Sequence, residues 1–284
     1  MKKTAIVADT NSGLNARQAE ELGIALLPMP FFVDGEACLE GQDYTTEAFF
    51  EKLRSGSEVS TSQPSLASLS ELWEHLLETH DQVLHMPMST ALSSSCEMAQ
   101  ALARDYNGRV LVVDDHRISV TLLQSIRNAK AMLDQGKAAE EVQAILEEEK
   151  EASSIYVAVN TLEYLKKSGR VTAAGAAMAS VLQIKPVLTI QGGKLDAFKK
   201  ARGMSHAKKA MLAALQDDLT HRFAGEDMAV FAVYSGEPAL GERWLEEVRA
   251  AFPQREVELA SLPLSICCHV GDGALAVACA RVRK

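Results

Sequence analysis

The sequence predicts an α/β protein of two domains, and three observations carry that reading. Short β-branched runs alternate with amphipathic helical patterns along most of the chain, as βαβ units require. The length of 284 residues suits two modest domains. The glutamate-rich run at residues 147–151 (EEEKE) reads as a solvated helix end and linker. A boundary near residue 153 follows, giving an N-terminal α/β domain over 1–153 and a C-terminal α/β domain over 154–284.

Residues 4–9 (TAIVAD) form a buried first strand, and residues 15–22 a short helix closed by Gly23. Residues 24–33 read as one strand region bent at Pro30. A helix over 46–53 and an extended, hydroxyl-rich segment over 57–65 (SEVSTSQPS) come next. Pro64 disfavours helical geometry at Gln63 and can open the following helix. That helix places Leu66, Leu69, Trp73, Leu76 and Leu77 on one face. A strand over 83–88 runs into STALSSS and a helix through 99–103. A strand over 110–114 leads to a long helix ending near Leu133 and Gly136, then to a second helix from Ala138. Beyond the boundary, strands are predicted over 155–159, 186–190, 229–234, 256–259 and 274–282, with Trp244 on a helix between the third and fourth of these.

Composition narrows the function classes. The chain is 47% hydrophobic and 24% charged, the make-up of a soluble globular protein. Its longest apolar stretches, 173–182 and 274–280, fall short of the roughly 20 residues that span a bilayer. The opening MKKTAIVADT has too short an apolar run for a signal peptide, so a cytoplasmic location is expected. Five cysteines at no metal-ligand spacing read as small core residues rather than a disulfide framework or zinc site. The net charge of −9 disfavours nucleic acid as a partner. Between Glu163 and Lys209, however, ten basic residues stand against two acidic ones, a net of +8 that leaves −17 for the remainder. Such a run is either a solvated face or a surface for an anion or a partner.

Motifs for nucleotide cofactors and for serine hydrolysis are missing: there is no G-x-G-x-x-G after the first strand, no P-loop and no G-x-S-x-G elbow. Asp9, at the end of the first strand, sits where open α/β sheets place their ligand crevice. Asp114 and Asp115 end another strand. Aspartates at such ends cap turns and helices more often than they hold a metal, and the capping reading is preferred. Two hydroxyl clusters remain, Thr61-Ser62 and Ser93-Ser94-Ser95. They either cap helices or donate to an anion without needing a full positive charge. His269 lies ahead of a turn containing Gly271 and Gly273 and of an apolar strand. A lone histidine is usually structural, so its role stays open at this point.

Six motifs in order across nearly the whole chain resemble the DegV family, whose members bind long-chain fatty acids. They are IVADTNSGL at 6–14, STSQPS at 60–65, STALSSS at 89–95, LEYLKKSGRV at 162–171, LQIKPVLTIQGGKL at 182–195 and HVGDGALAV at 269–277. The resemblance implies a DegV-like two-domain α/β fold: an N-terminal three-layer α/β/α domain with a mostly parallel sheet, and a C-terminal α/β domain. It implies that Thr61 and Ser93, with the adjoining Ser62 and Ser94, and His269 hold a fatty acid carboxylate. Ser94 and Ser95 replace the glycine and threonine of many relatives, and Cys267 and Cys268 another such pair. It further implies a carrier with no cofactor, which presents its bound acid to a separate ATP-dependent kinase that makes an acyl phosphate for phospholipid synthesis. Arg170, Lys199, Lys200 and Arg202 would then face the partner, the nascent phosphate or an anionic membrane surface. The alanine-rich segment 172–183 would suit a helix packed on the acyl chain. The alternative reading is a serine-dependent lipid hydrolase or acyltransferase using Ser93 and His269, and a third is a ligand-gated regulatory protein with the same pocket.

Overall fold

The structure is a computed structural model that describes residues 2–179, 184–191 and 193–283. Its strands are β1 (Thr4–Asp9), β2 (Ala25–Leu27), β3 (Pro30–Val33), β4 (Glu36–Leu39), β5 (Val59–Thr61), β6 (Gln82–Met86), β7 (Val110–Val112), β8 (Ser153–Ala158), β9 (Ile184–Ile190), β10 (Asp196–Arg202), β11 (Met228–Tyr234), β12 (Val257–Ser261) and β13 (Leu275–Arg281). They form a parallel sheet in the order β2-β1-β6-β7, a small antiparallel sheet β4-β3-β5, and a six-stranded sheet β10-β9-β8-β13-β11-β12. In the last, only β11 and β12 run parallel.

Alternation of side chains along β1 shows how the layers are built. Ala5 and Val7 pack with Trp73, Leu69, Cys96 and Ala99 on one face of the parallel sheet. Ile6 and Ala8 face the opposite way, onto the helix Ser119–Asp134. That helix is buried on most of its circumference because its other side meets Ile155, Val157, Phe231 and Ala278 of the six-stranded sheet. The far face of that sheet is covered by Met204–Asp217 and Pro238–Ala251, with Trp244 wholly buried and donating to the Ala276 carbonyl at 2.7 Å. Helices therefore flank the parallel sheet on both faces.

Several expectations change. The single strand over 24–33 is two strands in different sheets. Pro28 and Pro30 carry no N–H, so one ladder cannot continue through them. The strand β10 was not foreseen, because its pattern DAFKKAR has the charge of a surface. It is an edge strand, the one place in a sheet where such charge is tolerated. The EEEKE run is not simply solvated: Glu149 is buried and pairs with Arg281 at 3.0 Å and with Arg283. Leu66, placed on the apolar stripe of its helix, is 54% exposed at that helix's first position. Of the segment 172–183, residues 180–183 lie outside the described residues. The described part is a turn of helix, Ala173–Ala176, followed by a 3-10 turn. Among the described residues no helix is long and apolar enough to cross a membrane.

Candidate functional site

The chain leaves β1 toward β2 on one side and later returns to β6 on the other, so the loops after β1 and β6 diverge at their C-terminal ends. That divergence opens a crevice, the usual ligand position in an open α/β sheet. A cavity of about 260 Å³ lies there. Asn11 lines it from the loop after β1, and Met88, Leu92, Ser93 and Ser94 from the loop after β6. The end of β5 contributes Thr61, Ser62 and Gln63. The helix Leu264–Val270 closes the other side with Ser265, Ile266, His269 and Val270.

Both hydroxyl clusters and the histidine are thus brought to one cavity. Thr61 Oγ1 lies 2.9 Å from His269 Nε2. Ser93 Oγ is 2.7 Å from Ser95 Oγ and accepts from the Ser95 amide at 3.2 Å. Ser93 therefore both accepts the first amide of the helix Ser95–Ala103 and lines the cavity. Its loop is held from behind by Thr90, whose hydroxyl donates to Asp114 at 2.8 Å. Ser94 has ordinary helical angles, φ −74 and ψ 0, so this turn needs no glycine. Cys267 and Cys268 are buried against the small sheet and its helix Thr46–Arg54, outside the cavity lining.

His269 sits on a helix, where its surroundings of cysteines and β-branched residues carried no helical signal. Burial, and then the nearby Arg170 guanidinium, lower its pKa from 6.5 to about 4, so the ring is neutral near neutral pH. Its Nδ1 is buried without a partner among the described residues. No bond joins it to Ser93 among the described residues; Thr61 is its partner.

Arg170 separates from the other three basic residues. It lines the cavity, half-buried, with Nη1 donating to the Ser168 carbonyl at 2.6 Å, and has no carboxylate partner among the described residues. Lys199, Lys200 and Arg202 stand exposed on β10 and do not line the cavity. Asn11 and Ser265, unforeseen from the sequence, are paired to each other, Ser265 Oγ donating to Asn11 Oδ1 at 3.0 Å. Asn11 had one legible signal, its place just beyond the first strand; Ser265 had none.

The first aspartates are structural. Asp9 accepts the amides of Asn11 and Met88, both at 2.9 Å. Its complete burial pushes its pKa up to about 7. Asp115 accepts the Arg117 amide at 3.2 Å and the Ser125 hydroxyl. Among the described residues no three metal-ligating side chains cluster.

Beyond the polar mouth the wall becomes aliphatic. Ile118, Leu195, Ile266 and Val270 are shared with a second cavity of about 60 Å³, whose other walls include Ile155, Val157, Val233 and Ala276 of the six-stranded sheet. Among the described residues none of 172–178 lines either space. Among the described residues the arrangement is a polar end with one cation, adjoining an aliphatic space, and it suits an anion with a long apolar tail.

The chain is similar to several known proteins. A DegV domain-containing protein of Deinococcus radiodurans is 30% identical over 234 residues, covering 82% of this chain and 83% of the relative. A Listeria innocua DegV domain-containing protein is 28% identical over 96% of this chain and 97% of its own. Among solved structures, a DegV family protein from Thermus thermophilus, described by its fatty acid binding, superposes with a TM-score of 0.88 at 28% identity, covering 99% of this chain and all of that one. The fatty acid binding protein DegV of Bacillus subtilis shares the fold, with a TM-score of 0.87 at 23% identity over 99% of this chain and all of its own. The family model described as "Uncharacterised protein, DegV family" matches residues 3–282, and with that coverage the chain belongs to the DegV family.

Proposed function

We propose that the protein binds a long-chain fatty acid, its carboxylate held by Thr61, Ser62, Ser93, Ser94, His269 and Arg170 and its tail directed toward the six-stranded sheet. The observation that carries this reading is the pair of cavities sharing Ile118, Leu195, Ile266 and Val270, polar at one end and aliphatic at the other. The Thermus thermophilus neighbour, described as fatty acid binding, supports the ligand class. The hydroxyls suit a carboxylate because each donates one bond without adding charge, and Arg170 supplies the one full countercharge. Burial of the tail drives association. At about 0.8 kcal/mol per methylene, roughly 14 buried carbons contribute on the order of 11 kcal/mol before association costs.

Among the described residues the hydrolase alternative lacks a nucleophile-to-base bond: Ser93 pairs with Ser95, and His269 with Thr61 and no orienting carboxylate. Native mass spectrometry of protein purified without added lipid discriminates the readings. A non-covalent adduct of fatty acid mass is expected. A covalent acyl group on Ser93 supports the hydrolase, and lipid-free protein refutes the carrier.

In the fuller reading the chain is a cytoplasmic, non-catalytic carrier that presents its carboxylate to a separate kinase, forming an acyl phosphate for phospholipid synthesis. The exposed Lys199, Lys200 and Arg202 form the face for that partner or for an anionic membrane. Arg170, the basic residue of the four that lines the cavity, would face the phosphate being formed. Arg202→Glu is expected to lower transfer to acyl phosphate severalfold while leaving fatty acid retention intact; equal loss of both refutes this division of roles.

A further inference from the structure

The helix Leu264–Val270, which carries Ser265 and His269, is poorly equipped to form by itself. It has only two turns, and its sequence LSICCHV is rich in cysteine and β-branched residues. Pro263 precedes it and gives no side-chain cap. Its first amides are nevertheless satisfied, by a residue 224 positions away: Glu40 Oε1 accepts the Leu264 amide at 2.8 Å and Oε2 the Ser265 amide at 2.7 Å. Glu40 is itself fixed, since it directly follows β4 and its own amide donates to the carbonyl of cavity-lining Met29 at 3.0 Å. A carboxylate placed over two helix N-terminal amides gains from both charge-assisted bonds and the helix dipole.

We infer that Glu40 is a positioning residue for the head-group site, capping from the small sheet the helix that sets His269 against Thr61. Three segments of the N-terminal half grip this one helix: Glu40 at its start, Asn11 at Ser265, and Thr61 at His269. Glu40 holds the helix chiefly through the backbone amides of its first two residues, with the Ser265 side chain beside them, so it determines where the helix lies rather than which ligand it meets. What His269 does for a ligand rests on the carrier reading; what Glu40 does for His269 does not.

The test compares lipid-free, 15N-labelled wild type with Glu40→Gln, which keeps the shape but opposes one amide with another donor. Val248→Ala, a cavity in the core on the far face of the six-stranded sheet, serves as a control for general destabilisation. In Glu40→Gln the Leu264 and Ser265 amides are expected to exchange at least about tenfold faster than in wild type, and the His269 ring nitrogens to move away from their hydrogen-bonded shifts. Val248→Ala should leave the ring signal in place at an equal or larger loss of Tm. Glu40→Asp, with the charge kept on a shorter stem, should fall between wild type and Glu40→Gln. Unchanged exchange and ring signals in Glu40→Gln, or the same ring change in the control, overturn the inference. In the companion measurement, bound palmitate should dissociate about tenfold faster from Glu40→Gln than from the control, a ratio expected from losing one charge-assisted bond. Equal rates overturn the head-group part of the inference. Wild type that holds no palmitate instead refutes the carrier reading, and the exchange and ring signals still decide the role of Glu40.

Discussion

Because His269 is buried beside Arg170, its pKa falls from 6.5 to about 4 on folding. The unfolded chain therefore binds a proton more readily than the folded one between these values. Stability from this residue is fully present above the unfolded pKa and is lost as pH falls toward the folded one. Between about pH 7 and about pH 5 the loss through His269 alone is roughly 2 kcal/mol. His85, wholly buried against Trp73 with its pKa lowered to about 3, acts in the same direction, so wild type by itself does not isolate His269. The measurement is urea unfolding of lipid-free wild type and His269→Gln at both pH values. Glutamine keeps a group able to meet Thr61 but cannot titrate, so the His85 contribution cancels in the difference. The stability gap between the two chains is expected to shift by roughly 2 kcal/mol on acidification, against wild type. A gap that stays flat with pH refutes the buried, neutral ring.

Two further outcomes follow from the geometry of the cavities. Thr61→Ala and Ser93→Ala should each weaken fatty acid retention by about 1 to 3 kcal/mol, read by competition with a fluorescent acid, because each leaves a buried carboxylate short of a donor; unchanged retention in the double variant moves the head group elsewhere. Ala276→Leu fills the inner cavity of about 60 Å³. At about 0.8 kcal/mol per displaced methylene, it should shift the co-purified lipid toward shorter chains, measured by extraction and mass spectrometry. An identical lipid profile separates the inner cavity from the tail.

What could be read from the sequence was local. The buried strand TAIVAD, the helix closed by Gly23 and the helices that carry Trp73 and Trp244 depend on periodicity and caps between near neighbours, and they stand in the structure. β10 and the helix around His269 were illegible for a related reason. Each contradicts its own local propensity and exists through long-range partners: β10 through its ladder with β9, the helix through Glu40.

The α/β class, the order of most elements and the residue types at the mouth of the site follow from the chain alone, because hydrophobic period, turn chemistry and motif order are written along it. That Arg170 belongs with Thr61, Ser93 and His269 while Lys199, Lys200 and Arg202 stand apart, and that an aliphatic space adjoins them, emerges on folding. Which side chains share a cavity depends on which loops leave the same end of a sheet and which helix crosses over them. Those are relations between segments more than two hundred residues apart, such as Thr61 and His269, and no local pattern encodes them.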